Sequence, residues 1–219
     1  MTFGELKSLV SYTLDDLQFG YFTETQVGVW LNHAQMEVQK RLLKAGNNRY
    51  NLPVQTTLVV DQNDYVLPQD FKKLMKLEVV ISGTAPNEST SPIVPITTNQ
   101  SYLVPSGTGT PGYYNFRKNR LVIYPAPDTA LVMRMQYSYL VSDMVNSTDV
   151  PDVPDDYQEL IALLACEDGF IKDGRVNPLI EKKISQYQKD LDSDAQERSQ
   201  DGPRMIVQTG VNADGAFYW

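Results

Sequence analysis

Along the first 45 residues apolar side chains return every three or four positions, the period of a helix with one buried face. Phe3, Leu6, Leu9, Val10, Leu14 and Leu17 form one such stripe and predict an amphipathic helix over residues 2–17. Thr2 and Glu5 stand at capping-box spacing at its start, and Gly20 is the expected stop. Thr23 and Gln26 repeat that spacing, with Phe22 and Val27 placed as a hydrophobic staple for a second helix. Its inward stripe is Val27, Trp30, Leu31, Ala34, Val38 and Leu42, and Gly46 is the expected cap. Lys40, Arg41 and Lys44 end its outer face, near the negative pole of the helix dipole.

From residue 52 the period falls to two. Leu52–Val60, Tyr65–Leu67 and Leu74–Ile81 read as strands, separated by turns at Asp61–Asp64 and Pro68–Phe71. Residues 82–112 are rich in Gly, Pro, Ser, Thr and Asn and predict a long loop, with one short strand at Ile93–Ile96. Tyr113–Phe116 and Arg120–Tyr124 flank Lys118-Asn119 as a hairpin. Leu131, Met133, Met135, Tyr137 and Tyr139 alternate with Val132, Arg134, Gln136 and Ser138, the clearest strand pattern in the chain. Helical spacing returns after Pro151. Pro154-Asp155-Asp156 starts a helix with Leu160, Ile161, Leu164 and Ile171 on its buried side, and Gly174 ends it. Asn177-Pro178 opens another, with Ile180, Ile184, Tyr187 and Leu191 as its stripe and Gly202-Pro203 as its stop.

The pattern predicts an α+β fold. The N- and C-terminal helices pack as a small helical bundle, a mainly antiparallel β insertion lies between them, and an extended C-terminal tail follows. The expected divisions are an N-terminal helical hairpin at 1–50 and a β insertion at 51–141. A C-terminal helical hairpin at 142–202 completes the bundle, and a tail occupies 203–219.

Composition narrows the chemistry. The 219 residues carry 19 Lys+Arg against 27 Asp+Glu, a net charge of −8, which gives no general attraction to phosphates or anionic lipid heads. The start shows no signal-peptide pattern and the longest apolar run, Leu160–Cys166, is far short of a membrane span. One cysteine, Cys166, excludes an internal disulfide and suits a reducing compartment, so a soluble protein folded in a cytoplasm is expected. One histidine, His33, rules out a His-rich metal site. No nucleophile signature accompanies His33, which reads as a helix-surface or interface residue, and Cys166 reads as a small buried hydrophobe. Gly107, Gly109 and Gly112 satisfy GxGxxG only formally, because a strand follows where a nucleotide site needs a helix. Asp143, Asp149, Asp152, Asp155, Asp156, Glu159, Glu167 and Asp168 lie in a stretch without Lys or Arg. They could hold a glycosidase pair or a calcium ion, but the EF-hand pattern is missing, and a solvated acidic loop and helix cap is the default. No catalytic residue, cofactor or metal site is expected.

Several short pieces carry a wider likeness. They are Trp30-Leu31-Asn32-His33-Ala34-Gln35, then Tyr65-Val66-Leu67-Pro68-Gln69-Asp70-Phe71, then Gly109-Thr110-Pro111-Gly112-Tyr113-Tyr114. Leu121-Val122-Ile123-Tyr124-Pro125-Ala126-Pro127 follows, and Tyr137-Ser138-Tyr139 precedes Asp152-Val153-Pro154-Asp155-Asp156-Tyr157. Their order resembles the head–tail connector, or portal adaptor, proteins of tailed bacteriophages, especially short-tailed ones.

The resemblance implies a non-enzymatic structural virion protein, built in the host cytoplasm and resident at the head–tail junction. It implies a homo-oligomeric ring, a dodecamer by expectation, under the portal protein. Such a ring extends the DNA channel for ejection, docks the next tail or ring protein, lets genomic DNA pass without sequence-specific binding, and has no membrane partner. Ring contacts are heterologous, so each subunit needs two different faces. The tail supplies candidate partner-binding residues in Met205, Ile206, Val207, Phe217, Tyr218 and Trp219, and its length allows a reach of about 55 Å. Lys40, Arg41 and Lys44 are further candidates, since basic residues here and acids at 142–168 could bring subunits together. Two other classes stay open: a binding module recognising glycan or protein through the β insertion, and an acidic hydrolase.

Overall fold

The computed structural model describes residues 1–44, 48–83, 87–97, 99–100, 104 and 107–200, with Asn48 and residues 194–200 described by backbone alone. Four helices, α1 (Phe3–Thr13), α2 (Glu24–Lys44), α3 (Gln158–Lys172) and α4 (Pro178–Gln200), enclose one hydrophobic core. Eight strands form a second: β1 (Asn51–Thr57), β2 (Asp64–Val66), β3 (Phe71–Ser82), β4 (Ser89–Pro92), β5 (Val94–Pro95), β6 (Tyr113–Arg117), β7 (Arg120–Tyr124) and β8 (Val132–Tyr139). The α+β architecture is as expected.

Local chemistry accounts for the helix starts. The Thr2 side chain accepts from the Glu5 amide while Glu5 accepts from the Thr2 amide, and Thr23 and Gln26 make the same reciprocal pair. Helix α3 is the hub of the bundle. Its residues Leu160 to Cys166 are all buried, because α1, α2 and α4 cover it on several sides. Gly169 permits the closest of these approaches, since a Cβ there would meet Leu14 Cδ1 at 2.8 Å. The helix ends in a Schellman motif. Gly174 has φ +68°, its amide donates to the Ile171 carbonyl, and the Arg175 amide donates to the Phe170 carbonyl.

Two antiparallel sheets hold the second core. The first runs β1-β8-β3-β4 and the second β2-β7-β6-β5, with β5 and β6 the single parallel pair among the described strands. Met133, Met135 and Tyr137 of β8 face inward with Leu77 and Val79 of β3, as the alternation requires. Phe71 joins the two sheets, with ring centroids 5.5 Å from Tyr137 and 5.7 Å from Phe116.

Several boundaries and burial expectations differ from the sequence pattern, among them the start of β3 at Phe71, which was expected in a turn. Helix α1 stops at its C-cap Leu14, because Asp15 takes a left-handed φ of 59°. The Asp16 carboxylate then binds the amides of Gly20, Tyr21 and Phe22, so Gly20 belongs to a loop and Leu17 is exposed. Ile171 is also exposed, on the last turn of α3. Strand β1 ends at Thr57, and Val59 and Val60 lie in the following turn. Within 82–112 the Ser- and Thr-rich stretch Ser89–Pro92 is strand β4, held by backbone pairing to β3 rather than by apolar content. Gly46 and the tail 203–219 lie outside the described residues.

Candidate functional site

The two cores meet at residues 139–153, which lead from β8 to α3. This segment has little backbone pairing of its own, and side chains of α2 take the place of a partner strand. Asn32 donates to the Met144 carbonyl at 3.1 Å and accepts from the Met144 amide at 2.9 Å. One turn on, Gln35 donates to the Ser142 carbonyl at 3.0 Å and accepts from the Asp152 amide at 3.2 Å. Gln39 donates to the Tyr139 carbonyl at 2.6 Å and accepts from the Val141 amide at 3.4 Å. The spacing 32, 35, 39 keeps all three on one helix face. Gln35 and Gln39 are 1 % and 0 % exposed, so leaving either amide unmatched would cost the full desolvation penalty.

Asp152 closes the joint. Its carboxylate accepts from the Tyr139 hydroxyl at 2.6 Å and pairs with Arg49 at 3.5 Å, while its carbonyl accepts from the Tyr50 hydroxyl at 2.9 Å. Burial and then this carboxylate push the Tyr139 hydroxyl up to about 12, and Tyr50 is raised by the same causes in the same order. From the other side, the Phe3 and Gly4 amides donate to the carbonyls of Asp149 and Ser147. Asp149 folds the segment onto itself by accepting from the Val145 and Asn146 amides, which holds its carboxyl below the usual range.

Two of the pieces that carried the family likeness make structural contacts of this kind. Asn32 and Gln35 of the Trp30–Gln35 piece bind the 139–153 segment. In the Tyr65–Phe71 piece, the Tyr65 hydroxyl donates to the Gln62 carbonyl and accepts from the Val59 amide. Asp70 accepts from the Tyr137 hydroxyl at 3.0 Å, and its carbonyl accepts from the Leu140 amide. Asn32 and Gln35 thus tie the bundle to the 139–153 segment, while Tyr65 and the Asp70 carboxylate brace the strand region from within.

The remaining candidates separate in space. His33 is exposed on α2. Cys166 is buried in the bundle, and desolvation pushes its thiol up to about 12, far from a reactive thiolate. Gly107 has φ +130°, Gly109 packs on Pro125, and strand β6 follows, so no helix N-terminus receives a phosphate there. The eight acids of 142–168 do not converge: Asp149 and Asp152 serve the joint, and Asp155 accepts from Gln158 at 2.7 Å. Glu159 takes Lys183 and the Tyr187 hydroxyl, while Glu167 and Asp168 lie near Glu37 and Glu181. Lys40 and Lys44 are exposed at the end of α2, and Arg41 pairs with Glu37 at 3.3 Å. Met205, Ile206, Val207, Phe217, Tyr218 and Trp219 lie outside the described residues. A groove of about 540 Å³ runs along α4, lined by Leu179, Lys183 and Tyr187. Among the described residues no group of three or more His, Cys, Asp or Glu could hold a metal ion, and no helix is long and apolar enough to cross a membrane.

Residues 1–212 match the sequence profile of the SU10 adaptor protein family. The chain belongs to the SU10 adaptor protein family. A search of curated proteins found no match. Membership makes this chain a phage structural adaptor, a component of the virion that interacts with other virion proteins. The likeness to head–tail connectors was therefore right in kind, and the SU10 adaptor protein family is the one that matches. Sequence reasoning passed over Gln39. Gln39 broke the apolar stripe of α2, and a buried amide on such a stripe is the signal for a partner with both a donor and an acceptor.

Proposed function

We propose that this SU10 adaptor is a head-to-tail connector. Its copies form a ring, expected to be twelvefold, under the portal, extend the DNA channel and dock the next tail component. The observation that carries the reading is the family match over residues 1–212. The joint at 139–153 supports it: side chains bind the helical bundle and the two sheets into one unit, as a load-bearing ring subunit needs. The units are 1–50, 51–141, 142–202 and a tail at 203–219. Met205, Ile206, Val207, Phe217, Tyr218 and Trp219 anchor that tail in a neighbour, and Lys40, Arg41 and Lys44 contribute partner contacts. DNA passes through the lumen without being held, which the net charge of −8 favours, and no catalysis is involved.

Electron microscopy of the tail machine tests this reading. Rings of about a dozen subunits below the portal are expected. A stable monomer that also ignores the portal would contradict it. Monomeric glycan binding would instead favour a recognition module.

A further inference from the structure

Among the described residues, eight large apolar side chains are at least 66 % exposed, and six of them stand at one end of the helical bundle: Tyr12, Leu17, Tyr21, Ile171, Val176 and Leu179. They belong to the last turn of α1, the α1–α2 turn, the end of α3, the α3–α4 turn and the start of α4. The two turns adjoin there, and Asp15 and Tyr21 of the first with Asp173 and Arg175 of the second line a pocket of about 440 Å³. Single exposed apolar residues are ordinary, but a concentration of them around a pocket marks an interaction site.

The pocket is also polar on one side. Its wall carries the carboxylates of Asp15, Asp16 and Asp173 against the single guanidinium of Arg175. Asp16 is engaged by the Gly20, Tyr21 and Phe22 amides, and Asp173 pairs with Arg175. The exposed Asp15 carboxylate has no hydrogen-bond or ion-pair partner among the described residues. The fitting occupant is therefore an apolar segment that brings one cation.

The chain itself holds such a segment in Arg204-Met205-Ile206-Val207. Helix α4 leaves the pocket end at Pro178 and runs 23 residues to Gln200, about 33 Å away. Extended chain from Gln200 brings Arg204 back by at most about 14 Å and Val207 by about 25 Å, so the segment cannot return to the pocket of its own chain.

We propose that Arg204–Val207 of one copy docks in this bundle-end pocket of a second copy, with Arg204 facing Asp15 and the three apolar side chains covering Leu17, Tyr21 and Ile171. The inference rests on the ring reading and names the acceptor for the tail. Donor and acceptor lie at opposite ends of α4, the two different faces that a heterologous ring contact joins.

The test titrates a capped synthetic peptide of residues 201–209 into the full chain, ¹⁵N-labelled and carrying Arg204→Glu, which keeps the pocket and withdraws its own segment. Backbone amide shifts should be confined to residues 12–22 and 171–179. A peptide with Arg204→Glu should bind about tenfold or more weakly, and so should the wild-type peptide once the chain also carries Tyr21→Asp. Asp15→Asn keeps a residue that tolerates the left-handed φ of 59° and removes only the charge. It should weaken the wild-type peptide and leave the Arg204→Glu peptide unchanged, as a direct pair requires. Absence of binding, shifts centred on the α4 groove or on the sheets, or equal binding of a scrambled peptide would overturn the contact. A ring on wild-type particles whose Arg204–Val207 segments lie on another virion protein would overturn it and leave the ring reading standing. Peptide binding at the pocket with no ring on particles would do the opposite.

Discussion

The β6–β7 hairpin and the 139–153 segment both hold extended chain against a neighbour, by opposite means. In the hairpin, backbone pairs with backbone from Tyr113–Tyr124 through to Arg117–Arg120, so the ladder depends little on which side chains it carries. In 139–153 the backbone is held by the amides of Asn32, Gln35 and Gln39, by Asp149 and by the hydroxyl of Tyr50. A backbone partner is supplied by any sequence, whereas a side-chain partner is supplied by one residue. The joint between bundle and sheets is therefore the most sequence-dependent part of this adaptor, and substitutions should separate the two regions sharply.

The largest effect is expected at Gln35. Gln35→Ala strands the Ser142 carbonyl and the Asp152 amide and opens a cavity, which should cost about 2–5 kcal/mol in urea unfolding. Asp152→Ala removes the acceptor of the Tyr139 hydroxyl and should cost about 1–3 kcal/mol in the same assay.

Asp149 distinguishes the regions by pH. Its folded carboxyl is depressed by the Val145 and Asn146 amides, so its contribution is present above the ordinary aspartate range. That contribution is lost as pH falls through the lower folded value. Urea midpoints of the wild type should fall between pH 6 and pH 3 with a component that Asp149→Asn lacks. The smallest effect is expected in the hairpin. Lys118 has φ 54°, so Lys118→Gly should relieve strain and raise stability by less than about 1 kcal/mol in thermal melts. A loss at Lys118 as large as that at Gln35 would erase the distinction between the two regions.

The same contrast explains what could be read in the chain. Many local partners were legible in the sequence: Thr2 with Glu5, Thr23 with Gln26, Gly174 after α3, and the alternation of β8 all hold, although the Asp16 loop that ends α1 early was not seen. Partners distant in sequence were less visible. Gln35 and Gln39 look like surface residues until a segment a hundred or more positions away supplies a carbonyl and an amide to each. Strand β4 has no apolar alternation, because β3 alone dictates its conformation. Leu17 lies beyond the end of α1 and Ile171 is exposed on the last turn of α3, so periodicity overstated their burial. The bulge at Lys72, where the pairing of β3 with β8 slips between Phe71 and Lys73, has no local signal at all, since bulges arise from register between strands. The local chemistry likewise gave the adaptor's kind through short turn and cap motifs, while the partners of Gln39 had to be seen in place.

Amide hydrogen exchange tests the joint most directly. Among the described residues, the amides of Val141, Met144 and Asp152 are bound by side chains of α2, namely Gln39, Asn32 and Gln35. They should exchange slowly in the wild type, at rates comparable to those of the β6–β7 hairpin, and Gln35→Ala should release Asp152 first. Exchange of all three at the rate of free loop amides, unchanged by Gln35→Ala, would contradict the claim that α2 holds the two halves of this adaptor together.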